Sequence, residues 1–106
     1  MVIAHVESGI CGFQTEIRVV RIKTKRVGIF ITSDCAQVSA LGNEVKELGI
    51  REALKIPIDK NPVYERAGLC NLHPACPVPC GIIKAAEIEL GLAVKREVTI
   101  TFQSQT

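Results

Sequence analysis

Residues 14–32 read Gln14-Thr-Glu-Ile-Arg-Val-Val-Arg-Ile-Lys23, then Thr24-Lys25, then Arg26-Val-Gly-Ile-Phe-Ile-Thr32. The first arm is rich in β-branched side chains. In the second, Val27, Ile29 and Ile31 fall on every other position, the period of a strand with one buried face. Two such arms joined by Thr24-Lys25 spell an antiparallel hairpin, and the other elements can be placed around it. Upstream, residues 2–7 alternate loosely and read as another strand that stops at Ser8-Gly9. His5 lies in that strand and reads as a surface or hydrogen-bonded histidine.

Downstream the period changes. After Ser33-Asp34, both good helix caps, Val38, Leu41, Val45 and Leu48 recur at three- and four-residue steps and predict an amphipathic helix ended by Gly49. A short helical piece is expected over 51–56. Asn61-Pro62 then pairs a cap with a first-turn proline and opens a helix to about Leu69, with Tyr64, Ala67 and Leu69 inward. Residues 70–80, with three cysteines, one histidine and three prolines, predict a stiff irregular loop. Beyond Gly81 a last helix turns Ile82, Ile83, Ala86 and Leu90 inward and stops at Gly91. Val98, Ile100 and Phe102 alternate with Glu97, Thr99 and Thr101 and predict a C-terminal strand. The expected fold is α+β: a small antiparallel sheet of three to four strands, helices packed on one face, and a final helix followed by a C-terminal strand.

A chain of 106 residues has room for one core, so residues 1–106 are expected to form a single domain. An aromatic share of 4% without tryptophan requires a core of Val, Ile, Leu and Ala. The same scarcity argues against stacking on nucleobases. The net charge of +2 is far from the basic stripe of a nucleic-acid binder, so no nucleic-acid partner is expected. The one basic cluster, Arg21, Lys23, Lys25 and Arg26, falls at the hairpin turn and reads as a solvated turn or as a contact for phosphate or an acidic partner. No apolar run is long enough to cross a bilayer, and the N-terminus does not resemble a secretory signal, so the expectation is a cytoplasmic protein without a membrane partner. In a reducing compartment five cysteines read as ligands or reactive thiols rather than disulfides.

Those cysteines all fall at or near the ends of expected elements. Cys11 sits in the glycine-flanked turn Gly9-Ile10-Cys11-Gly12. Cys35 lies at the start of a helix, where unpaired amides and the helix dipole favour a thiolate; a small buried apolar residue is the alternative. Cys76 and Cys80 are spaced C-x3-C, close to zinc-ligand spacing. Cys80 could instead simply face a helix whose start is set by Pro77 and Pro79. His73 could lend a ring nitrogen or serve only the loop. Glu87 and Glu89 fall on the polar side of the last helix and read as solvated. Clustered thiolates select iron–sulfur clusters, zinc or copper(I) over hard cations.

In order along the chain, Cys11-Gly12 before a hairpin, Cys35 opening a helix, and a His/Cys loop before the final helix resemble the U-type iron–sulfur cluster assembly scaffold family. The stretches Gly49-Ile-Arg-Glu-Ala-Leu-Lys-Ile56 and Ile83-Lys84-Ala85-Ala86 are similar to segments after that family's second and third cysteines. The resemblance covers roughly residues 10–90. It implies cluster ligands at Cys11, Cys35 and Cys76, with Cys80 as the rival third ligand and His73 as the neighbouring histidine. It also implies a cysteine desulfurase or an apo-protein acceptor as partner. Phe13 stands where the family has an acidic residue, and Pro74-Ala75 separate a histidine and a cysteine that are adjacent in the family. Three functional readings follow: a scaffold or carrier that binds an iron–sulfur cluster transiently, a zinc-stabilised binding module without turnover of its own, and a thiol protein for sulfur transfer or redox chemistry.

Overall fold

The computed structural model describes residues 1–104. Strands β1 (Val2–Glu7), β2 (Gln14–Lys23), β3 (Arg26–Ser33) and β4 (Glu47–Gly49) form one antiparallel sheet in the order β1-β2-β3-β4. Helices α1 (Ala36–Glu44), α2 (Ile50–Ala53), α3 (Pro62–Leu69) and α4 (Val78–Glu89) complete the α+β fold. The hairpin of residues 14–32 is its centre, with Ile17 against Ile31 and Val19 against Ile29. Its inward residues Ile17, Val19, Val27 and Ile29 pack with Val38, Leu41, Val63, Val78 and Ile82 from the helices. Every apolar residue fully inside is Val, Ile, Leu or Ala, as the composition requires.

Four expectations are corrected. The fourth strand is β4, not a C-terminal one. The first helix ends at Glu44, and Leu48, expected on its buried stripe, is instead buried opposite Val27 on β3. Periodicity alone cannot separate these outcomes; the unpaired edge of β3 decides, through the Ile29 amide donating to the Lys46 carbonyl at 2.8 Å. Residues 94–104 form neither helix nor strand, and Val98, Ile100 and Phe102 are 58%, 74% and 93% exposed. An alternating pattern makes a strand only when an edge receives its amides and carbonyls. Finally, α4 begins at Val78, so Cys80 lies in its first turn rather than in a loop, and Leu69 is exposed while Val63 is buried.

Helix α4 is fixed at both ends. Near its start a Cβ on Gly81 would stand 3.1 Å from Val6 Cγ2 and 3.4 Å from Ile17 Cδ1, so glycine lets the helix lie this close to the sheet without displacing those side chains. At its other end Glu89 is not solvated as expected. One carboxylate oxygen accepts the Arg21 amide at 3.0 Å and the other meets the Met1 ammonium at 3.3 Å. The Arg21 amide, aided by the ammonium, holds the Glu89 carboxyl below the usual range despite its burial. A bulge between Arg21 and Lys23 interrupts the ladder beside that amide. Gly91, at φ 78°, then closes the helix in a Schellman motif, with the Leu92 amide donating to the Glu87 carbonyl at 2.8 Å.

Asn61, 3% exposed, ties the middle segment together. Its Oδ1 accepts the Val63 amide, capping α3 as expected. Its Nδ2 donates to the carbonyls of Glu52, Ala53 and Lys55. Asn61→Ala removes a cap and strands buried carbonyls, and should cost about 2–3 kcal/mol by urea unfolding. A loss under about 0.5 kcal/mol, the ordinary range of a surface change, would refute this role. Because the folded-state pKa of Glu89 is lowered, its contribution is complete above the unfolded carboxylate value and is lost as pH falls through the folded one. Unfolding midpoints measured from neutral to acidic pH should therefore fall less steeply for Glu89→Gln than for the parent.

A candidate thiol site at one end of the sheet

The pairing register sets where the cysteines stand. Glu7 faces Gln14 and Thr15 faces Ser33, so the β1–β2 connection and the end of β3 lie at the same end of the sheet. The close approach of Gly81 to Val6 and Ile17 brings the start of α4 to that end as well. Cys11 occupies the first of these positions, Cys35 the second, and Cys76 stands two residues before the third.

Cys11 closes a single 3-10 turn over Gly9–Cys11, and Gly12 follows in the left-handed region at φ 73°. That conformation turns the chain back so that the Gly12 amide donates to the Gly9 carbonyl at 2.9 Å. Cys11 is exposed, beside a wholly exposed Ile10 and a Phe13 that is 41% exposed.

Cys35 itself is the cap of α1, one residue beyond the expected Ser33-Asp34 pair. Ser33 Oγ is engaged elsewhere, 2.8 Å from Thr15 Oγ1 and 3.1 Å from the Cys35 amide nitrogen, which donates to it. The Cys35 thiol donates to Gln37 Oε1 at 3.4 Å.

Cys76 ends a tight turn in which its amide donates to the His73 carbonyl at 3.0 Å. Burial pushes its thiol pKa up; the Val78 amide, donating to the sulfur, pulls the other way, and negative charge on Cys35 and Cys11 raises it further. Cys35 and Cys11 thus each lie within electrostatic reach of Cys76. Among the described residues, no group of three or more His, Cys, Asp or Glu side chains stands where it could hold a metal ion. Charge coupling extends well beyond a metal–thiolate bond of about 2.3 Å, so proximity and an unformed coordination sphere are compatible.

Of the other candidates, Cys80 and Cys70 separate from this group. His73 is exposed on the turn. Cys80 lines a groove of about 350 Å³ between α2, α3 and α4, together with Tyr64, Ile56, Ile83, Lys84 and Glu87. Burial raises the Tyr64 hydroxyl pKa and the charge of Cys80 adds to it. Cys70 follows α3 and packs, half-buried, against the core. This groove was missed from sequence because α4 was started too late. With the helix opened at Val78, the spacing of Cys80, Ile83, Lys84 and Glu87 marks one face. On the outer side of the sheet at the cysteine end, His5, Glu7, Glu16 and Asp34 line a second depression of about 400 Å³.

No helix among the described residues is long and apolar enough to cross a membrane. No curated protein and no solved structure matches the chain. A family model does match, over residues 2–102, a span that holds the whole sheet, all four helices and all five cysteines. The chain therefore belongs to DUF6951, a family of unknown function.

Proposed function

We propose that this protein is a scaffold or carrier that takes up an iron–sulfur cluster as cargo through Cys11, Cys35 and Cys76. The observation that carries the reading is the meeting of three cysteine-bearing element ends at one end of the sheet, with the Cys35 and Cys11 charges acting on Cys76. Helix N-termini adjoin two of the three. Cys35 caps the nine-residue α1, and the Val78 amide at the start of the twelve-residue α4 donates to Cys76. A cluster bound by thiolates carries net negative charge, and amide donors with positive dipole ends stabilise it without a basic side chain. The order of the cysteines supports the same reading through its resemblance to U-type scaffolds.

Cys76 is a better third ligand than Cys80, whose sulfur lines the Tyr64 groove. His73 is the natural fourth donor, since the turn that carries it also carries Cys76. Cys11 stands exposed on the turn between β1 and β2, where it is open to incoming cargo. Ile10 and Phe13 beside Cys11 give a protein partner, a sulfur donor or an apo-protein acceptor, apolar surface next to the reactive end.

Anaerobic incubation with ferrous iron and sulfide should produce visible charge-transfer absorption with matching acid-labile sulfide. Cys11→Ala, Cys35→Ala and Cys76→Ala should each lose most of it, and Cys70→Ala should keep it. A colourless product from the parent protein sinks the proposal, and stoichiometric zinc whose removal lowers the melting temperature replaces it with a zinc-stabilised module. The raised pKa of Cys76 adds a pH dependence. Below that pKa a proton leaves as the sulfur is bound, so affinity for a thiolate-seeking probe such as Co2+ rises with pH, by up to about tenfold per unit for each proton released. Competition titrations from pH 6.5 to 8.5 should show this rise, flattened in Cys76→Ala.

A further inference from the structure

We infer that residues 97–102 are a donor strand that pairs with the outer edge of β1 in a second copy of this chain, forming a reciprocal dimer. Three observations converge on this. The segment has strand chemistry but no strand partner: Val98, Ile100 and Phe102 alternate with Glu97, Thr99 and Thr101 and are 58%, 74% and 93% exposed. β1 lies at one edge of the sheet and pairs only with β2. It spans six residues, the length of the segment.

The direction of α4 favours a second copy over the chain's own edge. The helix starts over Val6 and Ile17 and ends where Glu89 meets Met1 and Arg21, so it runs opposite to β1. The chain thus leaves the helix beside the first residue of β1. Pairing with its own β1 would run parallel, in a sheet that is otherwise antiparallel throughout and with the weaker ladder. A second copy related by a two-fold axis can offer its β1 in the antiparallel sense, and each copy then both gives and receives a strand, which closes the assembly.

The apolar side chains have somewhere to go. In β1, Val2, Ala4 and Val6 point towards the helices and are buried or half-buried. A strand added in register extends that face with Val98, Ile100 and Phe102. On α4, Ile88 lies on the same side as Gly81, two turns along, and is only partly buried against the core. It would roof the added strand. The exchange covers both an open edge and an exposed apolar arm, the two features that otherwise invite uncontrolled association.

Light scattering on the reduced full-length protein, with amide hydrogen exchange across a dilution series, tests this. The expected mass is twice the 11.5 kDa of the chain, with amides of 97–102 protected in the dimer and unprotected once dilution yields monomer. Ile100→Pro removes an amide donor and fixes φ in the arm, away from the core. It should halve the mass and abolish that protection while leaving the protection of β2 and β3 intact. A monomer at every concentration overturns the inference. So does a dimer unaffected by Ile100→Pro, or protection of 97–102 in the monomer, which would mean that the arm pairs with its own edge.

Discussion

The packing of α4 across β1 and β2 is the contact on which the arrangement depends. A glycine at position 81 lets the helix backbone settle against Val6 and Ile17, and the Glu89 carboxylate fixes the far end to the backbone of β2. One contact sets distance and the other sets direction. Together they hold the start of the helix, two residues after Cys76, at the end of the sheet where the β1–β2 turn and the end of β3 already meet. A Cβ at position 81 would press on Val6 and Ile17 and make them give by a few tenths of an ångström, even though residue 81 is no part of the site.

Chemistry at that end is a balance between opposing pulls on one sulfur. Burial disfavours the Cys76 thiolate and the charges of Cys35 and Cys11 disfavour it further, whereas the amide of Val78 favours it. A cation placed among the three would reverse the sign of the mutual repulsion, because each thiolate then faces a positive centre. Unfilled, the group resists accumulating negative charge; filled, the same closeness becomes favourable.

Sequence pattern was most informative where local chemistry and tertiary environment agree. The central hairpin, the Asn61-Pro62 start of α3 and the Gly91 stop of α4 follow from strand period, cap and left-handed turn, all local causes. Leu48 shows where local reading ends: its spacing suits a helix stripe, but the free edge of β3, far away in sequence, recruits it into β4. Phe102 is the converse case: its segment has a strand pattern, yet it pairs with neither outer edge of the sheet. For the site, the positions of Cys11, Cys35 and Cys76 at element ends were readable from glycine and helix signals. Their common location was not, because it depends on sheet register and on the packing of α4. For Cys80 the loop reading of residues 70–80 gave way to its helix-facing alternative: prolines 77 and 79 suggest a loop, yet proline is well tolerated in the first turn of a helix, where its missing amide is not needed.

The near absence of aromatic residues has an optical consequence. With no tryptophan and a single tyrosine, ultraviolet emission from this protein originates almost wholly from Tyr64, whose ring lies in the groove beside Cys80. Oxidation or alkylation of that sulfur alters the quenching of its only bright neighbour. The protein thus carries a built-in fluorophore for its α2–α3–α4 groove, and its spectrum leaves the wavelengths beyond 300 nm clear for any chromophore bound at the other thiols.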